Sequence, residues 1–224
     1  MRLRLGTFNV HHCEGSDGVV DVARTAAALA GAEAQILGLQ ELDRNLARSG
    51  HADQPADLAR LLDMDIRFWP TLKRKGGEYG IAIAAVAPIR EARFIPLPRI
   101  AGEEPRAVVT AVCFGLNVVV THLSTERRAR RVQLAAVGAI LAGFEGPTVL
   151  MGDLNLGPRS LTLLRSLGFT GAFGHSTLPR RLARRQIDHI LMSPGVRVQR
   201  SWTISTVASD HLPLFADLEL TPTL

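Results

Sequence analysis

Two cysteines, Cys13 and Cys113, are all that the 224 residues contain, and they form no Cys-x-x-Cys pair. That argues against a disulfide framework and a cysteine-rich zinc site, and the chain reads as built for a reducing compartment. Aromatic residues make up only 5%, with a single tyrosine, so a base-stacking surface for single-stranded nucleic acid has little to be made of. No apolar run approaches the length of a membrane span, and Met1 leads within a few residues into a strand-like segment. Neither a membrane contact nor a signal peptide is expected, and the cytoplasm is the predicted location. No Pro/Gly/Ser-rich linker, charge block or fixed-period repeat divides the sequence, so one domain over residues 1–224 is expected.

What is present is apolar and basic. Hydrophobic residues make up 46%, and 26 Lys and Arg against 21 Asp and Glu give a net charge of +5. Such a balance suits an anionic partner, a phosphate ester or a nucleic acid, without choosing between them.

Apolar runs alternate with helical patterns. "LRLGTFNV" (3–10) reads as a strand, "VDVARTAAALAGAEA" (20–34) as a helix and "QILGLQE" (35–41) as a second strand, a β-α-β opening. A helix at 55–63 precedes strand candidates at 66–70, 79–86, 91–97, 106–114 and 117–122, which predicts a middle rich in antiparallel hairpins. A helix at 126–144 closes at Gly146-Pro147 before a strand at 147–152, and Ser160 is placed to cap a short helix ending near Gly168. Strands at 186–192, 196–204 and 212–220 finish the chain. Mixed sheets with helices outside are the natural packing for this pattern.

Polar residues recur where these strands end. Asn9 stands in "TFNVHH", Glu41 in "LQEL", His122 in "VVVTHL", Asp153 and Asn155 in "MGDLN", Asp188 in "QIDHI", and Asp210 and His211 in "ASDHLPL". Each alone is an ordinary turn former or solvated edge residue. Eight together point to one cleft, because strand ends on one sheet edge converge in space. Oxygen donors dominate the set, as a hard divalent cation such as Mg²⁺ or Mn²⁺ prefers. Phosphate-ester hydrolysis needs these parts: a cation, donors aimed at the phosphoryl oxygens, and a base for water. An Asp–His pair such as Asp188 with His211 fixes the imidazole's tautomer and stabilises its protonated form.

Other residues carry weaker signals. His11, His12 and Cys13 resemble a soft-metal cluster, but neighbours in an extended segment face opposite sides, so zinc is disfavoured. His11 shares the face of Asn9 if the strand continues, which makes it a candidate for substrate contact. His189 alternates away from Asp188 and reads as structural. Tyr79, in "GGEYG", sits in a plain turn or a phosphate-facing loop. Arg127, Arg128, Arg130 and Arg131, with Arg180, Arg181, Arg184 and Arg185, flank two of the polar strand ends. They are a solvated face or a basic rim, with Arg127 the candidate substrate contact.

The ordered set "TFNV", "LQE", "YGIAI", "THL", "GDLN", "IDHI" and "SDHLPL" resembles the successive motifs of the endonuclease/exonuclease/phosphatase superfamily, from residue 5 to residue 215. The resemblance implies an α/β fold, a four-layer α/β/β/α sandwich of two mixed β-sheets with outer helices. It implies that Glu41 is the central metal ligand with Asn9 beside it, and that Asp210 completes the metal site or pairs with a histidine. Asp153 and Asn155 position the attacking water and the phosphate, His122 donates to a phosphoryl oxygen, and Asp188 orients His211. Asp153 and His211 remain rivals for the base. His11, Leu42 and Asp43 depart from the apurinic-endonuclease pattern, and "RRQIDHI" from that of inositol polyphosphate phosphatases. The expectation is a metal-dependent phosphodiesterase. A phosphomonoesterase of the same fold and a catalytically idle nucleic-acid-binding member are the alternatives.

Overall fold

The protein is described by a computed structural model covering residues 1–74, 76–180 and 183–220. In chain order its elements are β1 (Arg2–Asn9), α1 (Val22–Ala30), β2 (Ile36–Arg44), α2 (Gln54–Leu62), β3 (Asp65–Arg74), β4 (Gly77–Ala85), β5 (Arg90–Pro96), β6 (Ala107–Cys113) and β7 (Leu116–His122). Then follow α3 (Arg127–Ala142), β8 (Thr148–Asp153), α4 (Thr162–Ser166), β9 (Thr170–Gly171), β10 (Leu178–Arg180), β11 (Ala183–Arg185), β12 (Asp188–Met192), β13 (Val196–Thr203) and β14 (Leu214–Leu220). No helix among the described residues is long and apolar enough to cross a membrane.

Two six-stranded sheets result, in the orders β13-β14-β1-β2-β4-β3 and β5-β6-β7-β8-β12-β9. Each is antiparallel except for one pair, β1 with β2 and β7 with β8. Those parallel pairs follow from the helix lying between the two strands of each pair, since a crossover is what parallel neighbours require. The inner strands read as near-continuous apolar runs because both faces are covered. Leu5, Ile36, Ile83, Val118, Val120 and Met151 pack between the sheets. Phe8, Leu37 and Leu39 face α1 and α2, and Val119, Leu150 and Leu191 face α3 and α4. The layers are therefore helix, sheet, sheet, helix, as the family resemblance implies.

The hairpin-rich middle is present as β3-β4 and β5-β6-β7. Differences from the sequence reading have local causes. Helix α1 is shorter than 20–34 because Asp21 accepts from Arg24 N at 2.9 Å, which fixes the start, and Gly31 follows its end. Ser160 caps nothing. It closes a 3-10 turn over Pro158–Ser160, and α4 starts after Leu161 without a side-chain cap. The segment after Asn9 is not extended: His11–Cys13 form a 3-10 turn with φ of 47°, 44° and 59°. Arg181 lies outside the described residues.

This topology sets the cleft. Strands β1, β2, β7 and β8 deliver their C-terminal ends to one edge of the sandwich. The antiparallel partners β12 and β14 begin at that edge, with Asp188 opposite Asp153 and Leu214 opposite Thr7.

Candidate active site

Backbone irregularities aim the side chains. In β2 the register with β4 shifts between Leu39 and Leu42, and Glu41 sits inside the bulge at φ 63°. A bulge re-aims a side chain that regular alternation would bury or splay. In β8, Gly152 has φ 142°, and a Cβ there would lie 1.9 Å from Thr121 O. Only glycine lets β8 approach β7 so closely that Asp153 pairs with His122.

From this edge the polar groups converge. Asn9 Nδ2 donates to Glu41 Oε1 at 2.8 Å and to Asp153 Oδ2 at 3.2 Å. His122 Nε2 lies 3.5 Å from Asp153 Oδ2 and 3.9 Å from Glu41 Oε1. His211 Nε2 lies 3.8 Å from the same Asp153 oxygen, and its Nδ1 donates to Asp188 Oδ2 at 2.9 Å. Asn155 N donates to Asp153 Oδ1 at 2.8 Å, and its Nδ2 donates to Leu123 O at 2.9 Å. One buried carboxylate, Asp153, is thus ringed by N–H groups from four elements or loops.

Burial and charge divide the titratable groups. Burial, reinforced by the charge of Asp188, raises the Asp153 carboxyl well above the usual carboxylate range. Burial works against a charged His211, but the charge and hydrogen bond of Asp188, aided by Asp153 and Asp210, outweigh it and push the imidazole up to about 10. His122 moves the other way: burial, then Arg106 and His211, hold it well below the ordinary value and keep it neutral.

Asp210 lies at the rim, its carboxylate half-exposed and 4.0 Å from His11 Nδ1. Tyr79 is buried, its ring under the Arg48 guanidinium at 5.3 Å, with Glu41 and Arg106 close enough to bear on its phenol. Arg127 is exposed on the first turn of α3. Arg130, half-buried on the same turn, donates to Ser124 O and Thr125 O and feels the charge of Asp153. His189 Nε2 donates to Leu156 O, 2.7 Å away in the interior.

Three residues that sequence reading did not single out support the cleft. Arg106, with a buried side chain, donates from Nη1 to His122 Nδ1 at 2.9 Å, which leaves the imidazole hydrogen on Nε2. Ser209 Oγ donates to Asn9 O at 2.8 Å and accepts from His211 N at 3.1 Å, tying the last loop to β1. Thr177 Oγ1 accepts from Ile187 N and Asp188 N, both at 3.1 Å. Ser209 stands inside "SDHLPL" and was legible there; Arg106 and Thr177 carry no motif signal.

The donor set fits a divalent cation. His11, His12 and Glu41 present ligand atoms within 4.8 Å of one another; Asp153, Asp188 and His211 do so too, but His211, held protonated by Asp188, offers an ion no lone pair. Asp188 Oδ1, His11 Nδ1 and His12 Nδ1 are buried without a hydrogen-bond partner among the described residues.

Known proteins agree with this architecture. A crystal structure of an endonuclease/exonuclease/phosphatase from Beutenbergia cavernae is 25% identical, with 98% of this chain and 72% of that one covered and a TM-score of 0.82. A mannosyl-6-phosphatase of Bacteroides thetaiotaomicron superposes over 97% of this chain and all of its own, at 18% identity and a TM-score of 0.76. The human Nocturnin catalytic domain, solved with a bound sulfate anion, covers 98% of this chain and 94% of its own, at 19% identity and a TM-score of 0.73. A search of the curated proteins gives no match. The family model described as the Endonuclease/Exonuclease/phosphatase family matches residues 6–211, nearly the whole cleft-bearing chain, and this protein belongs to that family.

Proposed function

We propose that the chain is a divalent-cation-dependent phosphoesterase that hydrolyses a phosphodiester, in a nucleic acid or a smaller molecule, by direct attack of water. The observation that carries this reading is the ring of His122, His211, Asn9 and Asn155 N–H groups around Asp153, with Glu41 beside it. Glu41 and Asp210 would hold Mg²⁺ or Mn²⁺, and Asn9 would join them once its amide turns its oxygen toward Glu41. When bound, the cation supplies a Lewis acid that offsets charge developing on the phosphoryl oxygens.

The chain's own groups divide the remaining work. His122, with Nδ1 filled by Arg106, offers its Nε2 hydrogen to a phosphoryl oxygen. His211, kept protonated by Asp188, donates from Nε2 to the same group. A protonated imidazole cannot accept a proton, which favours Asp153 over His211 as the base. Asp153 takes the proton of the attacking water as the new P–O bond forms and the bond to the leaving oxygen breaks. The cationic rim of Arg130 and Arg185 favours an anionic substrate.

The test is hydrolysis of bis(p-nitrophenyl) phosphate and p-nitrophenyl phosphate with Mn²⁺ or Mg²⁺, comparing Glu41→Gln and His211→Gln with the unsubstituted protein. Each substitution is expected to lower kcat at least about 100-fold, the scale on which loss of one such electrostatic group is felt. Unchanged rates in both variants would overturn the site. Turnover of the monoester alone moves the reading to a phosphomonoesterase, and no turnover of either ester moves it to a binding role.

A further inference from the structure

The cleft also carries nitrogen ligands that ester hydrolysis as described leaves idle. A ring nitrogen of His11, a ring nitrogen of His12 and a carboxylate oxygen of Glu41 all lie within 4.8 Å of one another. Asp210 Oδ1 stands 4.0 Å from His11 Nδ1. Ligands on a tetrahedral zinc ion are about 3.3 Å apart, so gathering these atoms around one takes side-chain movements of about 1 Å.

The state of the rings points the same way. His12 is buried, and its Nε2 is engaged by Glu14 Oε2 at 3.1 Å. Its Nδ1 is buried with no hydrogen-bond partner among the described residues, and so is His11 Nδ1. Buried ring nitrogens ordinarily find partners. A carboxylate on the far nitrogen, with the near nitrogen left bare, is how metal-ligating histidines are commonly oriented. The sequence reading set these histidines on opposite faces, and the turn reverses that. Left-handed backbone at His11, His12 and Glu41 brings their side chains to one point, and Gln54 Nε2 fixes the turn by donating to His12 O at 2.5 Å.

We propose that His11, His12 and Glu41, with Asp210 at the margin and Glu14 orienting His12, form a site for a transition-metal cation of the Zn²⁺ type. The proposal rests on Glu41 as a metal ligand and narrows that reading, because two imidazoles favour such an ion over Mg²⁺.

The experiment is calorimetric titration of chelator-stripped protein with Zn²⁺ and, separately, Mg²⁺. His12→Gln is expected to weaken Zn²⁺ binding at least tenfold and to leave Mg²⁺ binding unchanged. Glu14→Gln, which removes only the orienting charge, is expected to weaken Zn²⁺ binding by a smaller factor. Circular dichroism in chelator checks that both variants are folded. X-ray absorption of the Zn²⁺-loaded unsubstituted protein keeps the test independent of any variant, and the scattering of two imidazoles is expected. An all-oxygen shell, or equal Zn²⁺ affinity in folded His12→Gln, overturns the proposal. Asp153→Asn separates it from the phosphoesterase reading, since that variant should lose hydrolysis and keep Zn²⁺ affinity. If the unsubstituted protein binds Zn²⁺ through two imidazoles but hydrolyses no ester, the phosphoesterase reading fails alone.

Discussion

Replacing Asp188 by Asn tests the electrostatics of the cleft most directly. The two side chains are nearly isosteric, so the change removes a charge with little change of shape. Asp188 Oδ2 accepts from His211 Nδ1 at 2.9 Å, and both side chains are buried. Raising an imidazole from 6.5 to about 10 corresponds to about 5 kcal/mol, at about 1.4 kcal/mol per pH unit. Removing one partner of a buried ion pair costs about 3–5 kcal/mol by direct comparison. The two routes agree on a loss of about 4 kcal/mol, which for a chain of this length lowers Tm by about 8–16 °C.

The sign of the pH dependence follows from the direction of the shift. A histidine whose value is raised on folding contributes its full stabilisation below 6.5. That contribution declines as pH rises and is gone above about 10. The difference in Tm between the unsubstituted protein and Asp188→Asn should therefore be largest below pH 6.5 and close toward pH 10. Thermal melting from pH 6 to 10.5, with a chelator present in every sample, measures it. Titrating groups out of reach of Asp188 are shared by both proteins and cancel in the difference; Asp153, which Asp188 raises, does not cancel, but its effect has the same sign and also narrows the difference as pH rises. A Tm at pH 7 within 2 °C of the unsubstituted value, or two curves that run parallel across the range, would refute the reasoning; the 2 °C limit is about one-quarter of the smallest loss expected.

Two further outcomes are expected from the same cleft. Gly152→Ala forces a Cβ against Thr121 O at a backbone angle that alanine rarely adopts. It should cost at least about 2 kcal/mol in urea denaturation and depress hydrolysis by displacing Asp153; a stable, fully active variant would contradict the close-approach argument. Arg106→Met keeps the volume but releases His122 Nδ1. Because the imidazole can then take either tautomer, kcat should fall about tenfold or more with KM nearly unchanged, as steady-state kinetics will read.

Much of the fold was legible because its elements obey simple periodicities. The runs "LRLGTFNV" and "PTVLM" became β1 and β8 because continuous apolar segments of that length are strands buried on both faces. Helix α3 was legible as a helix, but it stops at Ala142 with Gly143 as its C-cap, ahead of Gly146-Pro147, and its buried face runs through Leu134, Val137 and Leu141. The short pieces β9, β10 and β11 were not anticipated, because two or three residues carry no readable period and are held by their neighbours. Ser160 failed as a cap for a related reason: a competing 3-10 turn used it first.

The cleft divides in the same way. The residue types at the strand ends fixed the chemistry on offer, since acids, amides and histidines are visible as letters, and their order carried the family likeness. What letters cannot carry is a bond between residues far apart in the chain. The Arg106 hydrogen bond to His122, the Thr177 hydroxyl under Asp188, and the left-handed turn that brings His11 and His12 to Glu41 arise only when neighbouring strands and their loops have paired into sheets. Sequence set which groups this protein possesses and roughly where its chain bends. Packing set their distances, and with them which histidine is charged, which is neutral, and which nitrogens are left bare.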